Sequence, residues 1–540
     1  MAWLHTWSGL LVGWVLFMVF ACGTAAYFRD ETTLWMKPEL HRVQPAGRAD
    51  TGAALAVAEQ FLARHAAGSP RWNIALPTER EQGLRLSWTR PAPPGAAARP
   101  GERPRRQRPE TALLSPDTGE RLPQARETRG GDFFYQLHFN LHYVPVLWGR
   151  WIVGICAMFM LVAIVSGVIT HRRIFADFFT FRARKGQRSW LDAHNVSAVL
   201  ALPFHAMITY TGLVTLMFMY MPWAPKAVYE GDQRSYIAEV FPTARGMQFP
   251  KPSGTPAPLA PLAGIAREAS AAWGGASVAS LVVHHPGDAS ARVVASRHER
   301  GTLSSNQATL TFDGTDGRLL ARHGEDIAPA SHTRGVLYGL HLGRFSDMGL
   351  RWFFFISGLA GCAMVATGLL LWAVKERQKH AKALARGGRV SFGLRLVDGL
   401  NIAAVAGLPA AMAAFLWGNR LLPAGIGARA DMEIHLFFAA WGACALPALI
   451  RPTLRMWQFQ LGLAAALWLL LPLLNPLTGG LGLPSSIAAG QWRIAGFDLT
   501  ALAIGLMFAA CLGWLRRRKP VKKPAAKPAA LQPLPRQEPA

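Results

Sequence analysis

Two stretches decide the architecture: HTWSGLLVGWVLFMVFACGT at residues 5–24 and HNVSAVLALPFHAMITYTGL at 194–213. Each is about 20 mostly apolar residues, the length at which a helix crosses the hydrocarbon core of a bilayer. Each opens on a His-x-x-Ser motif (His5 and Ser8; His194 and Ser197) and reaches a glycine 18 residues after the histidine (Gly23; Gly212). A second pair follows the same rule. LHYVPVLWGRWIVG at 141–154 and LHLGRFSDMGLRW at 340–352 both open on Leu-His (His142; His341) and contain Arg-Trp (Arg150-Trp151; Arg351-Trp352). In both, a glycine stands 17 residues after the arginine (Gly167; Gly368). The chain is therefore one unit read twice: helix, polar segment, helix. Both copies run the same way through the membrane, which relates them by a pseudo-twofold axis along the bilayer normal.

Working outward, eight apolar runs divide the 540 residues. The expected order is span 1 (1–28), an outer domain (29–147), span 2 (148–170), a loop (171–194) and span 3 (195–220). A second outer domain (221–340), span 4 (341–374) and a loop (375–395) follow, then four further spans within 396–515 and a tail (516–540). The first run reads as a retained span rather than a signal peptide. It has no Lys or Arg before its apolar stretch, and its twin is internal. The loops 171–190 and 375–395 and the start of the tail are rich in Lys and Arg, which places them and both termini in the cytoplasm by the positive-inside rule. The net charge of +25 thus reads as membrane topology rather than nucleic-acid binding. The tail reads as a disordered basic end.

The two outer segments share a coarse pattern. A helical stretch (51–65; 261–273) leads into short alternating strands (72–76 and 84–88; 278–284 and 291–296) and a closing strand–turn–strand (111–122; 308–320). Each predicts a small α+β domain, the first with a Pro/Arg-rich insertion at 91–109. The five cysteines lie inside apolar runs with no CxxC pair, which argues against disulfides, a zinc site or an iron–sulfur cluster. CxxCH is absent too, so covalent c-type haem is excluded. Rossmann, Walker, GxSxG and HExxH motifs do not occur, and the cytoplasmic loops are too small for a flavin or nicotinamide domain.

The chemistry sits in the histidines. By symmetry His5 faces His194 and His142 faces His341, at two depths. His171 ends span 2, and His205 lies 11 residues after His194, about 16 Å further along nearly the same helix face. A rival pairing joins His194 to His171 or His5, and His205 to His142 or His341. Imidazole pairs between membrane helices suit b-type haem; capping and helix packing are the alternative use of such residues. Arg150 and Arg351 are candidates for haem propionates or for interfacial snorkelling.

These same stretches resemble the PepSY-associated transmembrane family over about residues 1–380, and the polar segments resemble PepSY domains. Some members are inner-membrane ferric-siderophore reductases with two b haems between four core helices. The resemblance implies an α-helical membrane protein of about eight spans with two periplasmic PepSY-like domains. It also implies two haems on His5, His142, His194 and His341, with His171 and His205 as features of a longer subgroup. A bacterial inner-membrane oxidoreductase is the expected function, with a separate electron donor (a quinol or a cytoplasmic reductase) and a ferric chelate as substrate. A non-enzymatic membrane anchor for a regulatory module and an iron-chelate transporter are the other readings.

Overall fold

The computed structural model describes residues 1–540 except 44–49, 79, 82, 91–108, 172–177, 179–180, 183–184, 241–248, 299–300, 326, 382–385, 387 and 518–540. The insertion at 91–109, much of the basic loop 171–190 and nearly all of the tail lie outside the described residues.

Among the described residues seven helices are long and apolar enough to cross a membrane, or eight if one bent pair counts as a span. The duplicated core is α1 (Ala2–Ala26), α5 (Val146–Thr170), the bent pair α6 (Gln187–Leu200) and α7 (Leu202–Thr215), and α10 (Met348–Lys379). Between these spans lie α2 (Arg29–Trp35), α3 (Thr51–His65), α4 (Asp132–Asn140), α8 (Leu262–Ala272) and α9 (Pro329–Leu342). The equivalent pairs α1–α5 and α6–α10 pack side by side, and α1 also lies along α10. The 68° bend of the third span has a local cause. Pro203 stands in the first turn of α7 and Ala201 leaves helical geometry (φ −117°, ψ 24°). Proline has no N–H to give the carbonyl one turn back, and its ring crowds that turn. Nothing in the first copy answers to it.

The two outer segments carry the expected α+β elements, and their strands join in a single sheet. Strands β1 (Arg71–Ala75), β2 (Leu84–Trp88), β3 (Glu110–Leu114), β4 (Val278–His284), β5 (Arg292–Arg297), β6 (Thr309–Asp313) and β7 (Leu319–His323) form one antiparallel sheet in the order β3-β2-β1-β4-β5-β6-β7. The join is β1 on β4, with Trp72 opposite Val283 and Ile74 opposite Leu281. The α3 and α8 helices pack on each other, and Leu55, Leu62, Leu262 and Ile265 share one apolar core with Ile74, Leu86, Leu281 and Phe312. Each half has three or four short strands, so pairing the inner edges removes two exposed ladders. The Asp50 side chain caps α3 through the Gly52 and Ala53 N–H groups.

Four more helices complete the bundle: α11 (Phe392–Leu421, with a π-helical turn at Ala403–Gly407), α12 (Arg429–Ile450), α13 (Leu454–Leu477) and α14 (Trp492–Arg516). Among these α11 is central and mostly buried. Polar groups tie this extension to the segments just outside the core. Trp35 Nε1 donates to Asp498 Oδ1 at 2.7 Å, and His41 Nδ1 accepts the Leu481 N–H at 3.2 Å.

Candidate functional site

Four histidines sit in four matching cradles. His5 on α1 lies against Gly167 of α5, and His194 on α6 lies against Gly368 of α10. His138 on α4 lies against Gly23 of α1, and His341 on α9 lies against Gly212 of α7. A β-carbon on any of these glycines would stand 2.7–3.1 Å from the imidazole Cε1, so only glycine lets the ring come this close. The glycines that reveal the repeat in the sequence are therefore the floors of the cradles.

The hydrogen bonds repeat as well. The Nδ1 of His5 meets the Ala163 carbonyl at 2.8 Å, and that of His194 meets Met364 at 2.9 Å. His138 Nδ1 meets the Val19 carbonyl at 2.7 Å. His341 bonds the Ile208 carbonyl, with its Nδ1 3.2 Å from Thr211 Oγ1. Ala163 and Met364 are equivalent in the repeat, as are Val19 and Ile208. A carbonyl only accepts, so a ring held to one through Nδ1 carries its proton there and keeps a bare lone pair on Nε2. That is the tautomer a metal-ligating imidazole needs.

The cradles come in pairs. His5 and His194 have ring centroids 6.1 Å apart, and so do His138 and His341. Two imidazoles sharing one iron are separated by two bonds of about 2 Å plus the half-widths of their rings, roughly 6 Å between centroids. The His138–His341 pair lines a cavity of about 1680 Å³. The cavity runs from Phe20, Gly154 and Ile208 among the helices to Ser277 and His298 at the sheet. Among the described residues no three His, Cys, Asp or Glu side chains converge as a many-ligand metal site, and the two histidine pairs are the closest His–His approaches described above. The residues present fit haem in their spacing and tautomer: twice, two imidazoles held through Nδ1 have centroids 6.1 Å apart.

The remaining candidates fall elsewhere. The repeat partner of His341 is His138, not His142. The latter is exposed, stacks on Phe438 (5.6 Å) and meets Tyr143 edge-to-face (4.4 Å). Its sequence motif misleads because Leu137-His138 and Leu141-His142 are successive Leu-His dipeptides, and only the first lies on a helix over α1. His171 caps the end of α5 through its backbone N–H to Gly167. His205 is wholly buried between the two pairs, edge-on to Phe20 at 6.0 Å, with Nε2 3.4 Å from the Ser357 carbonyl. No histidine faces it at the spacing of the two pairs.

Arg150 borders the cavity, with its Nε bonded to Asn140 Oδ1 at 2.9 Å. Arg351 is taken: its guanidinium grips both Glu31 oxygens (2.9 and 2.7 Å) and the Tyr27 carbonyl, over the Phe28 ring. Burial works to raise the Glu31 carboxyl, but the Arg351 bonds and charge outweigh it and hold Glu31 below its usual value. Burial and the neighbouring Arg351 charge pull Arg80, on the cavity wall, below the ordinary arginine value. The wall carries more arginines than acids: Arg29, Arg80, Arg150, Arg344, Arg351 and Arg493 line it with Asp30, Glu31, Glu81 and Asp347.

The molecule is thus a helical membrane protein with a duplicated four-span core under a small outer α+β layer. Residues 2–375 match the PepSY-associated TM region family, and the chain belongs to that family. The match ends short of the four-helix extension. A Pseudomonas aeruginosa protein, "Uncharacterized protein PA4219", is 28% identical over 333 residues, covering 56% of this chain and 76% of that protein.

Proposed function

We propose that this chain is a haem-b oxidoreductase of the bacterial inner membrane that carries electrons across the bilayer and reduces a ferric chelate, such as a ferric siderophore, on the sheet side. The carrying observation is the repetition: two histidine pairs, each with centroids 6.1 Å apart, each ring on a glycine and tied to a helix carbonyl or hydroxyl through Nδ1. His5 and His194 would hold one haem, and His138 and His341 the other. The levels of His5 and Gly23 on α1 are about 27 Å apart along the helix, close to the thickness of a hydrocarbon core. When bound, such groups supply one-electron transfer between the two faces.

The protein's own residues do the rest. The carbonyls of Val19, Ala163, Ile208 and Met364 hold the imidazoles in one tautomer and orientation. The glycine floors set how deeply each ring sits. Phe20 and Ile208 line the inner end of the cavity and keep it apolar. The arginine-rich wall attracts an anionic chelate and offers propionate partners, of which Arg150 is held in place by Asn140. The basic loops and tail support a cytoplasmic His5 end by the positive-inside rule, where a quinol or a cytoplasmic reductase would donate. Each Fe(III) takes one electron, and the Fe(II) formed is held less tightly by hard oxygen donors.

Purified full-length protein is the test. It should show a Soret band and sharp reduced b-type bands at about two haems per chain, and reduced protein should be reoxidised by ferric chelates. Folded but colourless protein after reconstitution with haemin would overturn the reading.

A further inference from the structure

The two outer histidines are equivalent in the repeat, but their helices are supported differently. His341 rides on α9, which has 14 residues and is held by its own outer segment. Ser305 N–H donates to Gly335 O, Asn306 Nδ2 donates to Ser331 O, and Arg334 donates to Asn306 Oδ1, each at 2.9 Å. His138 rides on α4, which has only nine residues. This helix packs on α1 and α5 of its own copy, and the Gly131 N–H before it donates to Thr33 Oγ1 at 2.9 Å, but unlike α9 it also leans on the extension. Phe133 packs on Phe415 (4.8 Å) and Phe437 (5.0 Å), and Phe134 packs on Phe415 (5.3 Å), both rings nearly fully buried.

The strand of chain leading into α4 is clamped as well. Thr128 Oγ1 donates to Glu433 Oε2 at 2.6 Å, Arg429 donates to the Glu127 carbonyl at 2.8 Å, and Arg126 donates to the Asn419 carbonyl at 3.0 Å. Arg429 and Glu433 are fully buried and paired with each other. Phe134 and His138 are four residues apart, on one face of the same short helix. Fixing Phe134 therefore fixes the turn that carries the imidazole.

We infer that the four-helix extension is a one-sided brace: Phe415, Phe437 and the Arg429–Glu433 pair position α4, and with it His138, while His341 is positioned by its own domain. In this inference Phe415 and Glu433 are positioning residues; neither touches a haem or substrate. The link to haem rests on the proposed function, but the brace itself is a statement about helix order and can be tested without a cofactor.

The experiment is hydrogen exchange on full-length protein in detergent or nanodiscs, comparing wild type with Phe415→Leu and with the milder Thr128→Val. Amides of 132–140 should exchange at least about tenfold faster in Phe415→Leu, and those of 329–342 should not change. Thr128→Val should move the same segment in the same direction by a smaller factor. In haem-loaded protein, the redox midpoint and low-spin EPR signal of one haem should shift while those of the other stay. Equal acceleration of both segments, or of neither, overturns the brace. Acceleration at 132–140 with both haem signals unmoved overturns its link to His138. Protein without haem overturns the proposed function and leaves the exchange result to decide the brace.

Discussion

The helix under His138 and the helix under His341 do one job by two routes. The α9 helix has 14 residues and is stitched to its own outer domain; α4 has nine and borrows Phe415, Phe437 and Glu433 from a bundle beyond the family match. A duplicated core keeps the same glycine-floored histidine cradles in both copies and the same 6.1 Å spacing between copies at both ends, while what surrounds that geometry is free to diverge. The positions that resist change are those where a ring meets a backbone.

The sharpest way to break the comparison is to remove the rings. His138→Ala should lower the haem content from two to one per chain, as should His341→Ala, whereas His142→Ala should leave two; quantification as the pyridine haemochrome decides among them. A result in which His142→Ala, and not His138→Ala, loses haem would return the site to the second Leu-His dipeptide. Next in size is the clamp. Glu433→Ala leaves Arg429 buried without its partner, which typically costs about 3–5 kcal/mol. A large fall in thermal stability is expected, with the exchange of 126–140 rising before that of 329–342.

Acid should loosen the same side. Burial first, then the Arg420 charge, pushes His41 down to about 4. Its Nε2 serves the Leu34 and Trp35 carbonyls at 3.0 and 3.2 Å while Nδ1 accepts from Leu481, so the folded state needs the neutral ring. Between the unfolded value near 6.5 and about 4 the unfolded chain binds the extra proton, so stability falls as pH drops through that window, by at most roughly 3 kcal/mol. Thermal melts from pH 7 to 4 should show this loss, and His41→Gln should flatten it. The smallest effect separates the floors. Gly23→Ala puts a β-carbon 2.7 Å from the His138 ring, and Gly212→Ala puts one 3.0 Å from His341. Overpacking of this kind costs about 1–3 kcal/mol. The outer haem midpoint should move more for Gly23→Ala than for Gly212→Ala.

Much of this was legible in the residues. The doubling, the spans and the pairing of His5 with His194 follow from local periodicity and spacing, and Gly23, Gly167, Gly212 and Gly368 stand out before their purpose is visible. What escaped depends on contacts distant in sequence. His138 is masked in the sequence because the stretch from the outer histidine to Arg-Trp differs in length between the copies. It is ten residues from His341 to Arg351, whereas His142 stands eight and His138 twelve before Arg150, so spacing alone does not choose between the two Leu-His dipeptides. The fusion of two half-sheets through β1 and β4 joins residues some 200 apart, and no pattern within either strand announces it. Arg351 reads like a free interfacial cation until Glu31, 320 residues away, is found in its grip. The extension's hold on α4 is of the same kind, because Phe133 and Phe134 look like any apolar pair.

The most direct measurement is the haem-to-chain ratio of purified full-length protein, read together with the low-spin EPR spectrum of its ferric form. Two b haems per chain, with two bis-imidazole signals, is the result expected of paired imidazoles at both ends of the core. Well-folded protein that takes up no haem, with all four imidazoles closed over by neighbouring side chains, would contradict it.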